Sequence, residues 1–203
     1  GNLSATMYPS LFLFPVALLR FAGVSVMLCY KGLLVSMNIT TAFLSFYAIR
    51  NITRSEKSAW IMSILYTFAT YRLTNLYYRA ALGESLAMVF LPLLLWGAYE
   101  VFYGEERKWY LLVLGISGVL ESHVLSFEMC LLFLVAEGIL WLIRCGVSNR
   151  QALKDRIVAL LKAIVVTIGA NAAFLIPFLY YTGEDFQVFH MPAEVAGSGV
   201  YFT

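Results

Sequence analysis

Ser85-Leu86-Ala87-Met88-Val89-Phe90-Leu91-Pro92-Leu93-Leu94-Leu95-Trp96-Gly97-Ala98-Tyr99-Glu100-Val101-Phe102-Tyr103 is apolar almost throughout, with its one charge near the end. A helix needs about 20 such residues to cross the hydrocarbon core of a bilayer, and aromatic residues at its ends suit the interface. Further apolar runs cover residues 7–22, 24–49, 59–71, 109–120, 127–143 and 157–181. Runs 24–49, 85–103, 127–143 and 157–181 are long enough to span. Runs 59–71 and 109–120 reach that length only by extending into the semi-polar stretches after them. Run 7–22 carries Pro9 and Pro15 and predicts a broken or interfacial helix. The expected fold is all-α: a polytopic transmembrane helix bundle of about 6 spans plus that N-terminal helix.

Composition agrees. Of 203 residues, 61% are hydrophobic and 13% charged, against about 45–50% and about 25% in soluble domains. Mean hydropathy is +0.79. These values exclude a disordered chain, a basic nucleic-acid-binding domain and an ordinary soluble enzyme. The net charge of +2 points to no anionic partner. Cys29, Cys130 and Cys145 form no CxxC pair and read as small core hydrophobes. Walker A, GxGxxG, HExxH and GxSxG patterns are missing from the sequence, so nucleotide-driven, dinucleotide and zinc-protease readings lack support. Residues 1–7 have no basic n-region. The chain opens on Gly1 and closes on Val200-Tyr201-Phe202-Thr203, so both ends read as cut. The expectation is a single transmembrane domain over 1–203, taken from a longer protein.

Basic residues set the orientation. Arg50, Arg54, Lys57, Arg107, Lys108, Arg144, Arg150, Lys154 and Arg156 fall in loops on one side, whereas the other side holds Arg20, Arg72 and Arg79. By the positive-inside rule, loops 50–58, 104–108 and 144–156 face the cytoplasm. Stretches 1–22, 71–84, 121–126 and 182–203 then face outward. Gly115 and Gly118 fall one residue short of GxxxG spacing and carry no weight.

Polar residues at membrane depth are costly, so each is a candidate for function. The densest cluster runs from Tyr71 to Glu84. On a regular helix Arg72, Asn75 and Arg79 share one face. Two guanidiniums and an amide on an outward face suit a phosphate or pyrophosphate head group. Tyr71, Tyr77 and Tyr78 add interfacial aromatics. Glu84 opens the next helix, where the dipole favours a carboxylate, or else it pairs with Arg79. Interfacial anchoring by snorkelling arginines is the competing reading.

A second cluster holds Glu121, Ser122 and His123, with Ser126 and Glu128 beyond. Glu121 and Glu128 are spaced to share a helix face, and His123 suits a general base or a sugar-hydroxyl partner. A solvated outer turn explains His123 equally well. Glu128 and Glu137 lie in apolar surroundings, as candidate partners for Lys31 or Arg79 or as packing residues. Lys31 and Asn171 also fall inside spans, while Glu100 and Lys162 sit close enough to span ends to snorkel. No cofactor is expected; a divalent metal would have only Glu184, Asp185 and His190 to hold it. The N-x-S/T triplets at Asn2, Asn38 and Asn51 read as accidental.

Several ordered blocks carry a resemblance. They are Tyr8-Pro9-Ser10-Leu11-Phe12-Leu13, Tyr66, Tyr71-Arg72-Leu73-Thr74-Asn75, Tyr78-Arg79-Ala80-Ala81-Leu82-Gly83-Glu84, Phe90-Leu91-Pro92-Leu93 and Ser122-His123-Val124-Leu125-Ser126. Together the chain resembles large bacterial multi-pass proteins of the YfhO-like, pyruvoyl-tetrahydropterin-synthase-related class, itself similar to the GT-C superfamily of integral-membrane glycosyltransferases. The resemblance implies a GT-C-like bundle in a bacterial plasma membrane. It implies sugar transfer at the outer face from a polyprenyl-phosphate-linked donor, with membrane lipids as the other partner and no nucleic acid. The catalytic carboxylate of such enzymes would lie upstream of Gly1, and a soluble outer domain downstream of Thr203. Arg72, Asn75 and Arg79 would bind the donor phosphate, and Tyr78, Glu84, Glu121 and His123 would line the outer cavity. In a competing reading, a transporter or flippase of a lipid-linked or anionic substrate, intramembrane Lys31, Glu128 and Glu137 act as relay groups. A non-catalytic membrane scaffold is the third.

Overall fold

The computed structural model describes residues 9–145 and 150–183. Asn2, residues 184–190 and the side chains of Cys145 and Arg150 lie outside that description. A 3-10 turn, Leu11–Leu13, leads into α1, Phe14–Phe21. Then come α2 (Val26–Thr53), α3 (Glu56–Thr67), the single turn α4 (Thr70–Leu73) and a π turn, Thr74–Tyr78. The chain continues with α5 (Leu82–Phe102), a 3-10 turn (Glu106–Lys108), α6 (Trp109–Leu120), α7 (Val124–Cys145), α8 (Arg150–Ala170) and α9 (Ala172–Gly183). The described residues contain no strand.

Local chemistry sets these boundaries. Ser25 accepts the Leu28 N–H at 3.3 Å and caps α2, and Ser55 does the same for Ser58 at the start of α3. Between α2 and α3 the chain reverses through Arg54, which adopts a left-handed conformation with φ 55°. Pro15 sits in the first turn of α1, where its missing N–H costs nothing.

The expectation of about six spans is met in part. α2, α5 and residues Val124–Arg144 of α7 are long and apolar enough to cross a membrane. A fourth span forms if α8 and α9 count as one, but this pair is bent by 76°. The sequence run 157–181 reads as continuous; the break falls at Asn171. Its side-chain amide donates to the Thr167 carbonyl at 2.7 Å and to Ser117 Oγ on α6 at 2.8 Å. A polar anchor to a neighbouring helix thus sits at the bend, where the Asn171 side chain competes with its own backbone N–H for the Thr167 carbonyl. α3 and α6 have 12 residues each, a rise of about 18 Å against a hydrocarbon core of about 30 Å. Neither extends as the sequence reading required.

α5 is the centre, 61% buried over its span, whereas α7 is 6% buried. α6 lies directly on α5, backbone against backbone. A Cβ built on Gly97 would meet Leu112 N at 2.3 Å, and one on Gly115 would meet Leu94 Cα at 2.4 Å. Only glycine permits that approach. On one flank α2 and the π turn pack on α5 through Met37, Leu76, Leu86 and Val89. On the other, α7 and α8 pack on α5 and α6 through Phe102, Leu112, Trp141 and Ala163.

Candidate functional site

The polar residues gather at two ends of the bundle. At one end the π turn Thr74–Tyr78 sets the geometry. Such turns shift the register of the side chains after them and recur at functional sites. Ala80 follows with φ 50°, an uncommon value for a residue with a Cβ.

This local geometry separates Arg72 from Arg79. Arg72 is 2% exposed and points toward α2. It donates to Asn38 Oδ1 (2.8 Å), the Thr67 carbonyl (2.9 Å) and Thr41 Oγ1 (2.8 Å). Among the described residues its Nε has no hydrogen-bond partner. Burial pulls the guanidinium below its ordinary value, against an opposing effect of Tyr66 and Tyr77, yet it stays charged at neutral pH. Arg72, expected on one outward face with Asn75 and Arg79, is thus buried on internal bonds, whereas Arg79 is half exposed.

Asn75 and Arg79 do stay together, with Glu84. The Arg79 guanidinium donates to Asn75 Oδ1 at 2.7 Å and to Glu84 Oε2 at 3.3 Å. Asn75 donates to the same Glu84 oxygen at 2.8 Å, and Tyr71 OH reaches it at 3.4 Å. Glu84 lies in the first turn of α5 and pairs with Arg79, as one of the sequence alternatives had it. The Arg79 side chain remains 49% exposed. Tyr78 is 88% exposed beside it.

Gly83 carries the start of α5 against the Ser122–His123 turn, where an added Cβ would lie 3.1 Å from the Ser122 carbonyl and 3.2 Å from the His123 ring. His123 Nδ1 accepts the Ser126 N–H at 3.3 Å and lies 2.8 Å from Ser126 Oγ, so the ring caps the first turn of α7. Glu121 ends α6 and Glu128 lies in α7, so the turn between them overturns the expected shared face. Burial pushes the Glu121 carboxyl above its ordinary range. Neither Glu128 nor Glu137 forms an ion pair with Lys31 or Arg79 among the described residues. Instead Glu137 accepts a 2.6 Å bond from Tyr103 OH, while Glu128 and Lys31 are exposed.

Sequence reasoning passed over Asn38. It reads as part of an accidental N-x-T triplet, yet it holds Arg72 and also donates to Tyr77 OH at 2.9 Å. The available signal was an amide inside an apolar run. Beside it, a groove of about 540 Å³ between α2 and α3 is lined by Phe43, Phe46, Trp60 and Phe68 and includes Asn38 and Thr67. Both are partners of Arg72.

The opposite end holds Glu100, which the sequence suggests is free to snorkel. It is 5% exposed and fully engaged. Its carboxylate accepts from Trp96 Nε1 (3.0 Å), Lys108 Nζ (3.2 Å) and the Glu105 N–H (2.9 Å). Lys108 also bonds Glu105, the main reason its ammonium is held above its ordinary value. Arg50, Arg54, Glu56 and Lys108 share a cavity of about 740 Å³ here, so loops 50–58 and 104–108 meet at one end. Among the described residues, no group of three or more His, Cys, Asp or Glu is placed to hold a metal.

No family model matches the chain, and no solved structure matches it. It is similar to an uncharacterized protein of Lactococcus lactis subsp. cremoris (strain MG1363), at 29% identity over 136 residues. That match covers 66% of this chain and 22% of the relative, so the chain spans about a fifth of the relative's length.

Proposed function

We propose that the chain is the membrane module of a GT-C-like glycosyltransferase that uses a polyprenyl-phosphate-linked sugar donor at the outer face of a bacterial plasma membrane. One observation carries this reading. An apolar groove between α2 and α3 runs up to Asn38 and Thr67, and the polar turn they hold presents the half-exposed Arg79. A lipid-linked phosphate needs that combination: an apolar track for the tail and a cation at its end. Arg79 takes the phosphate, exchanging part of its contact with Glu84 for it. Asn75 orients the guanidinium. Arg72 is a positioning residue, fixing the turn against α2. Tyr78, Glu84, Glu121 and His123 remain the candidate lining of the outer cavity.

The test is sugar transfer from a polyprenyl-phosphate donor in membranes containing the full-length protein. Arg79→Ala removes a charge-assisted contact worth about 1.5–3 kcal/mol, so transfer should fall about 10- to 100-fold, with membrane insertion unchanged. Arg79→Lys should recover part of it. Unchanged transfer by Arg79→Ala sinks the assignment.

A second reading, transport of a lipid-linked or anionic substrate, draws on the polar break at Asn171. Discontinuous helices recur at transporter binding sites. Movement of the donor across a proteoliposome membrane without sugar transfer would favour it.

A further inference from the structure

α7 and α8 both rest on α5 and α6, and they leave a slot of about 600 Å³ between them. Its floor includes Phe102, Leu112 and Ile116, and its walls are apolar side chains of α7 and α8. One lining residue is charged: Arg156. This guanidinium donates to the carbonyls of Val101 and Gly104 at the end of α5 and lies over the Trp141 ring, 5.7 Å from its centroid. None of the ion pairs among the described residues involves it. Among the described residues its charge is hydrogen-bonded but not paired with a carboxylate.

We propose that this slot binds an anionic phospholipid, its acyl chain between α7 and α8 and its phosphate on Arg156. Charge and depth both select this occupant. Arg156 bonds the Gly104 carbonyl, at the same bundle end as Lys108, and exposed Arg144 ends the adjacent span. This is head-group level under the positive-inside orientation, where basic pockets between helices hold anionic lipid head groups. From Arg156 the slot follows α8 to Thr167 and Ile168, a rise of about 18 Å. That is close to one leaflet of a core about 30 Å thick, the reach of an acyl chain rather than of a spanning helix. The slot stops where α8 breaks at Asn171. The proposal rests on placement in a membrane and not on the transferase reading.

The experiment uses the full-length protein, purified in detergent and exchanged through mixed micelles of dioleoyl-phosphatidylglycerol and dioleoyl-phosphatidylcholine, with retained lipid read by native mass spectrometry. Phosphatidylglycerol should be retained about tenfold over phosphatidylcholine: both phosphodiesters can meet the guanidinium, but the choline trimethylammonium cancels the net charge and is repelled by the basic end of the bundle. Because Arg156 also holds the end of α5, the decisive variant is Gly138→Leu. Gly138 lines the slot, and a Cβ there makes ordinary van der Waals contact with the Phe102 ring, at 3.6 and 3.7 Å, so a leucine is designed to take up slot volume. It should reduce phosphatidylglycerol retention about tenfold and leave the melting temperature unchanged or higher. Arg156→Lys, which keeps the charge, should retain the lipid better than Arg156→Gln. Equal retention of the two lipids, or retention indifferent to Gly138→Leu, overturns the proposal. So does a photo-crosslinker at Ile164 that captures polypeptide and no lipid.

Discussion

Arg72 and Arg79 are seven positions apart and have opposite fates, one buried and the other half exposed. A residue count cannot separate them, because the separation comes from the π turn and from partners on α2 that lie far away in sequence. Polarity at depth was legible: Arg72, Asn75, Arg79 and Glu84 all stand out from their surroundings, and all four are engaged. The pairing was only partly legible. Asn75, Arg79 and Glu84 are local and could be anticipated, whereas Asn38 and Thr41 required the packing of α2 against the turn. Glu121 offers a test at this scale. Burial raises its folded-state value above the ordinary carboxylate range, so the folded protein holds this proton more tightly than the unfolded chain does. The associated stability is full below the unfolded value and is lost as pH rises through the raised folded value. Glu121→Gln should remove that dependence. Thermal midpoints in detergent at about pH 4 and about pH 8 should differ less in the variant than in the parent, with the variant gaining at the higher pH.

Helices as elements were the most legible part. Run 109–120 coincides with α6, and run 127–143 lies within α7. Apolar length gives the existence of a helix but not its continuity, which is why the break at Asn171 was invisible. The bonds that make it run to Ser117 and Thr167. Glycine spacing was also undervalued. Gly115 and Gly118 miss the GxxxG pattern, yet both sit where α6 meets α5, Gly115 on the Leu94 backbone and Gly118 on the Phe90 ring. The Gly115 contact is the less forgiving, since backbone cannot rotate away. Gly115→Val should therefore force α5 and α6 apart and cost about 1–3 kcal/mol or more. Loss of monodisperse protein on size exclusion, or a lowered thermal midpoint, would register it. Gly169, with nothing within 4 Å of an added Cβ, is the control: Gly169→Ala should be neutral to stabilising by up to about 1 kcal/mol, since alanine is the better helix former.

Among the described residues two groups of charges gather at opposite ends of the bundle. Arg50, Arg54, Glu56, Glu100 and Lys108 meet at one, and Arg79, Glu84 and the Ser122–His123 turn meet at the other. The loops grouped by the positive-inside rule come together in space where the described residues include them. A membrane orientation follows as a prediction. With Cys29, Cys130 and Cys145 replaced by Ser, a membrane-impermeant maleimide should label Tyr78→Cys in intact cells. Lys57→Cys should label only after permeabilisation; the reverse pattern would invert the orientation. The backbone contact between α5 and α6 has a consequence for biogenesis. A segment of 12 residues, rising about 18 Å, is a poor passenger for a translocon that admits helices one at a time. We therefore expect α6 to insert only as the second arm of a hairpin whose first arm is α5. On that expectation the glycines on both arms bear on the order of synthesis as well as on the finished bundle, since the close contact they allow couples a short helix to its predecessor.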